Sequence, residues 1–120
     1  MNETDHEFDK HRAKEFLQKK EQKRKEASEN ERKILLEQII FFLKDEFSHT
    51  NVEVFLVGSI TQPYRFHRRS DLDIVLKNFT GDRFEIWTKI EGKIKRNVEV
   101  ILYENCHFKE HVENEGLRVL

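Results

Sequence analysis

The stretch from Phe55 to Leu76, FLVGSITQPYRFHRRSDLDIVL, joins two apolar runs through a glycine-serine pair, a basic segment and an Asp-Leu-Asp triplet. Both runs are rich in β-branched or large apolar residues, which predicts strands over Val52 to Val57 and Leu72 to Leu76. Side chains alternate along a strand, so Asp71 and Asp73 project from one face, about 7 Å apart. Leu72 and Ile74 point the other way, into a core. Two neighbouring carboxylates repel unless a cation joins them, and hard oxygen ligands of this kind suit Mg²⁺ bridging to phosphate oxygens. The plainer alternative is a solvated turn at a strand edge.

Gly58 and Ser59 follow the first of these strands. Backbone N–H groups exposed where a chain turns toward a helix bind anions, a glycine lets a phosphate approach closely, and a serine hydroxyl donates to it or caps the helix. A third predicted strand, Val98 to Tyr103, carries Glu99 in the middle of an apolar run. Val98, Val100 and Leu102 share one face, and Glu99, Ile101 and Tyr103 the other. A carboxylate there is costly to bury alone, so Glu99 either reaches a charged or wet site beside Asp71 and Asp73 or pairs with Lys95 or Arg96. In the first case it is a metal ligand or the base for an attacking hydroxyl.

Around this centre the sequence reads as one small domain with an appendage. Residues 1–30 form a polar extension with helical composition and few apolar anchors, chiefly Phe8, Phe16 and Leu17. Ser28 and Glu31 fit a capping box that would start a separate core helix; the alternative is one helix running straight through. Leu35, Ile39, Phe42, Leu43 and Phe47 have the spacing of a helix face packed on a sheet. Between the second and third strands, Phe84, Trp87, Ile90 and Ile94 predict another helix, with Gly92 its weak point. A short terminal helix closes near Gly116 before a last apolar stretch. This order predicts an α+β (α/β) unit over residues 31–120, a small mixed sheet with helices on one side, its core taking Trp87 and the ten phenylalanines.

Charged residues are 38% of the chain yet nearly cancel, to a formal net charge of -1, so no bulk basic field points to direct nucleic-acid binding. The basic run Lys19 to Lys25 is either a solvated helix face or a partner-binding arm. Arg65 to Arg69 is either a solvated loop or a source of charge for a leaving pyrophosphate, Arg68 or Arg69 being the favoured donors. The single cysteine, Cys106, excludes an internal disulfide and a cysteine-rich metal site. The histidines lack metal-ligand spacing. With no signal-like or membrane-spanning apolar segment, a cytoplasmic protein is expected.

Gly58-Ser59, then Ser70-Asp71-Leu72-Asp73, then Val98-Glu99-Val100-Ile101, with the ending HVENEGLRVL, resemble the nucleotidyltransferase superfamily and within it the minimal nucleotidyltransferases, over about residues 34 to 120. The resemblance implies a nucleotidyltransferase fold, ATP as substrate, two Mg²⁺ ions on Asp71, Asp73 and Glu99, and transfer of AMP to a hydroxyl with release of pyrophosphate. It implies triphosphate contacts from Gly58, Ser59, Arg69 and Ser70. It further implies an antitoxin whose partner is a HEPN-domain ribonuclease toxin, neutralised by AMP on a tyrosine. The alternative is an antitoxin that has lost catalysis and acts by binding alone.

Overall fold

The computed structural model of the chain describes residues 3–120, with side chains from Asp9 onward. Its first element is a single 45-residue helix, α1 (Glu3–Phe47). The segment holds no Gly or Pro and is rich in Glu, Lys, Arg, Gln and Ala, all compatible with helix. Side-chain pairs one turn apart support it, among them His11–Glu15 at 3.3 Å and Gln22–Glu26 at 3.3 Å. The helix therefore crosses the Ser28–Glu31 region without a break, and the predicted capping box does not form. At 1.5 Å per residue such a helix is about 68 Å long. It sets the longest dimension of a molecule measuring 73 × 28 × 19 Å.

The two halves of α1 differ. From Asp9 to Ala27 every side chain is exposed. Beyond that, Ile39, Leu43 and Phe47 are buried on one face, with Leu35, Leu36, Ile40 and Phe42 partly buried beside them. The helix stops where Thr50 folds back, its hydroxyl donating to the Phe47 carbonyl at 2.8 Å.

The strands β1 (Glu53–Val57), β2 (Leu72–Lys77), β3 (Val98–Leu102) and β4 (Leu117–Arg118) form a sheet in the order β3-β2-β1-β4. Pairing is antiparallel between β1 and β2 and between β1 and β4, and parallel between β2 and β3. The mixed α+β architecture expected from the sequence is thus present. Strand limits fall within a residue of those predicted, except that the terminal apolar stretch turns out to pair as an edge strand. The Val119 N–H donates to the Val54 carbonyl at 2.7 Å and the Val54 N–H to the Leu120 carbonyl at 3.0 Å.

Helix α2 (Arg83–Ile94) crosses from β2 to β3. Asp82 caps its start, accepting from the Phe84 and Glu85 N–H groups at 2.8 and 3.1 Å. Lys95 closes it in the left-handed region at φ 59°. Two expectations fail here. Ile86, not Phe84, is buried with Ile90, while Phe84 is 77% exposed in the first turn. Phe16, Phe41 and Phe108 are likewise exposed, so a substantial share of the phenylalanines lies outside the core.

Helices also lie on both faces of the sheet, not one. The larger core sets Val54, Leu56, Ile74 and Leu76 against α1 and α2. On the other face, Val112 of α3 (Lys109–Glu115) packs with Phe55, Val57 and Val75. The short α3 covers only part of that face, and the remainder carries the acids. No helix among the described residues is long and apolar enough to cross a membrane.

Candidate active site

Strand β1 ends at Val57, and the chain turns at once through a single 3-10 turn, Gly58–Thr61. Gly58 stands at φ +82°, where an L side chain is strained. A Cβ built there would lie 3.0 Å from Asp73 Oδ2, so the missing side chain leaves room for the Asp73 carboxylate. Ser59 does not cap the turn: Val57 occupies the capping position without a side-chain bond, and the Thr61 hydroxyl donates to the Gly58 carbonyl at 2.8 Å.

Asp71 immediately precedes β2 and is exposed; Asp73 lies inside β2 and is half-buried. Their neighbours Leu72 and Ile74 are completely buried, as alternation requires. Parallel pairing with β3 sets Asp73 opposite Glu99, and antiparallel pairing with β1 sets it opposite Val57. Asp73 thus sits between Gly58 on one side and Glu99 on the other.

The electrostatics follow from that placement. Partial burial, then the Glu99 charge, then the Asp71 charge push the Asp73 carboxyl up from 3.8 to about 6. Among the described residues, Asp71, Asp73 and Glu99 have no ion pair and no side-chain hydrogen bond to offset this. The three carboxylates share a face, but among the described residues no group of three His, Cys, Asp or Glu side chains is already disposed to hold a metal ion.

Residues 62–70 connect the two ends of the site, and their path is set by contacts that sequence reasoning missed. The Arg96 guanidinium donates to the carbonyls of His67, Arg68 and Ser70 at 3.0, 3.1 and 3.1 Å and lies over the Phe66 ring, 4.5 Å from its centre. Arg96 is therefore a loop clamp and not the partner of Glu99. Lys95 caps α2 instead of pairing with Glu99. Ser70 closes the loop from within, its hydroxyl accepting from the His67 N–H at 3.0 Å. Arg69 is exposed, its N–H donating to His67 Nδ1 at 3.3 Å.

The start of the loop is tied to α1. Glu29 and Arg32 form a buried ion pair; Arg32 also donates to the Ile60 carbonyl at 2.8 Å, and Glu29 accepts from the Tyr64 N–H at 3.2 Å. The Arg32 guanidinium holds the Glu29 carboxyl below its usual range, although burial opposes this. Tyr64 adopts φ 63°, a left-handed conformation that its backbone tether supports. Among the many charged residues of α1, nothing local marks Glu29 and Arg32 as the buried pair, which is why the sequence alone passes over them.

No protein-family model matches the chain, and no curated protein matches it by sequence.

Proposed function

We propose that the chain is a Mg²⁺-dependent nucleotidyltransferase that moves AMP from ATP to a hydroxyl, a tyrosine by the resemblance, of a cognate HEPN-domain ribonuclease toxin, acting as its antitoxin in the cytoplasm. The observation that carries this reading is the position of Asp73. It faces Glu99 across parallel strands, shares a face with Asp71, and abuts the space left by Gly58.

The donor set fits a divalent ion on its chemistry. All three side chains offer hard carboxylate oxygens, and partial burial, then the charges of Glu99 and Asp71, make Asp73 resist ionisation. Asp71 and Glu99 are exposed, so both can turn toward Asp73 when a cation joins them. Asp71, Asp73 and Glu99 would hold the two Mg²⁺ ions that the resemblance implies, which when bound would supply positive charge for phosphoryl chemistry.

The chain's own residues do the rest. Gly58 and Ser59, at the turn that follows β1 beside Asp73, receive the triphosphate on their backbone N–H groups, and Arg69 contributes charge from the loop. The acceptor oxygen forms its bond to the α-phosphorus in line with the departing bridge oxygen, pyrophosphate leaves, and the acceptor proton passes to a carboxylate oxygen of Glu99.

Asp71→Asn combined with Asp73→Asn should abolish transfer while leaving the circular dichroism and melting temperature of a folded domain. Intact-mass spectrometry of the co-expressed partner reads the result: AMP-sized mass additions with the native chain and none with the double variant. Continued labelling by the double variant overturns the assignment.

The reading in which binding alone neutralises the toxin draws support from α1, whose side chains from Asp9 to Ala27 are all exposed. A polar helix standing clear of its own domain is suited to dock on another chain.

A further inference from the structure

Arginines from three separate parts of the chain converge beside the loop that leads into Asp71. A cavity of about 600 Å³ between α1 and this loop is lined by Arg24 of α1, Arg68 and Arg69 of the loop, and Arg96 before β3. Arg32 also lines it but is satisfied by Glu29. The one carboxylate on its wall is Glu31. Arg24, Arg68 and Arg69 are exposed and have no acidic partner among the described residues. A second cavity of about 400 Å³ continues past Arg68, Arg69 and Arg96 to Lys95 and contains no acid. A third, of about 530 Å³, shares Arg24, Phe66 and His67 with the first and extends to Tyr64, which is 66% exposed.

Together these make one basic groove longer than a single anion requires. Guanidinium groups lining one groove with a single carboxylate among them leave an excess of positive charge, and planar forks of this type match phosphate oxygens. The shape is concave, and an exposed aromatic ring stands at one end, the combination that lets an extended strand lay its phosphates on cations and a base on a ring. The groove is separate from the acid site. Its apolar wall, Leu35 and Phe66, belongs to the core on the α1 face of the sheet, and none of these three cavities reaches Gly58, Asp73 or Glu99.

We infer that this groove binds a ligand carrying several phosphates in a row, an anion site that borders the one proposed for ATP at Arg69 but does not include its acids. The inference does not rest on nucleotidyl transfer. The test measures fluorescence anisotropy of a labelled single-stranded RNA of about 12 nucleotides with the full chain carrying Asp71→Asn and Asp73→Asn, in EDTA, so that no metal-held phosphate binding at the acid site contributes. Binding is expected, weakening with salt at a log–log slope of about -2 if three phosphates are neutralised. Adding Arg24→Glu and Arg68→Glu, both exposed and free of ion pairs, should lower affinity about tenfold or more with unchanged circular dichroism. Competition by tripolyphosphate equal to that by unlabelled RNA identifies a free polyphosphate as the source; much stronger competition by RNA identifies a strand. Polyglutamate competing as well as either, affinity indifferent to the two charge reversals, or no binding at low salt overturns the inference.

Discussion

A carboxylate that shares a sheet face with two others gains little from ionising until a cation joins it, and Asp73 is the residue where this is felt. Its folded-state value, about 6, lies above the ordinary 3.8. The folded chain therefore keeps a proton that the unfolded chain has already released. The sign follows: the favourable contribution is complete below about pH 4 and is lost as pH rises through about 6. Unscreened, the shift corresponds to roughly 3 kcal/mol; because Asp73 is only half-buried, solvent screening leaves about 1 kcal/mol. In metal-free buffer, Asp73→Asn should be more stable than the native chain by about 1 kcal/mol at pH 8 and equal to it at pH 4. Urea denaturation at both pH values measures the difference. A constant gap across pH would mean that Asp73 does not feel its neighbours. The sequence placed Asp71 and Asp73 on one face through alternation alone. It favoured Glu99 joining them but left Lys95 and Arg96, its nearest cations in the chain, as alternative partners.

At the scale of elements, the junction of β1 with the turn that follows it does most to shape the site. The turn can begin at once only because Gly58 accepts φ +82°, and the same missing Cβ makes room for Asp73 from β2. Gly58→Ala combines a disfavoured backbone conformation, costing about 1–2 kcal/mol, with a 3.0 Å approach to Asp73 Oδ2. A lower urea midpoint with unchanged slope is the expected outcome, along with loss of the proposed AMP transfer, since the Asp73 carboxylate must move. Retained stability would show that the junction relaxes freely. The helices teach a different lesson. For α2 the 3.6-residue period correctly identified a helix but chose Phe84 over Ile86 for its buried face. At the first turn, the direction of approach to the sheet decides which side is covered, and hydrophobicity does not report that direction. The same holds for α3, whose one buried residue, Val112, is too little signal to reveal that it packs on the opposite face from α1 and α2.

The whole molecule is a small domain with a helix that continues well past it. Polar composition reads the N-terminal half of α1 as an extension, and from Asp9 to Ala27 its side chains are exposed. Its junction with the body was not legible, since Glu29 already lies within the body, and the helix passes the expected boundary at residues 30/31 unbroken. A chain beginning at Gln22 should melt within about 2 °C of the full chain, because the side chains from Asp9 to Glu21 are exposed and changes at exposed positions alter stability by only about 0.5 kcal/mol. The same truncation separates the two functional readings. Loss of toxin capture with retained ATP binding makes the arm the docking element, whereas unchanged capture removes it from recognition.

Sequence by itself determined the local features: a long polar helix, three apolar strands, and two aspartates on one face. These depend on side-chain period and on near-neighbour sterics, which any short window contains. Tertiary structure alone decided that β2 and β3 pair in parallel with Asp73 opposite Glu99, that Gly58 makes way for the Asp73 carboxylate, and that Arg96 holds the loop. It also gathered Arg24, Arg68, Arg69 and Arg96 into one groove from a chain whose charges nearly cancel. Coulomb interactions depend on distance in space, and folding brings together charges as far apart in the chain as Arg24 and Arg96.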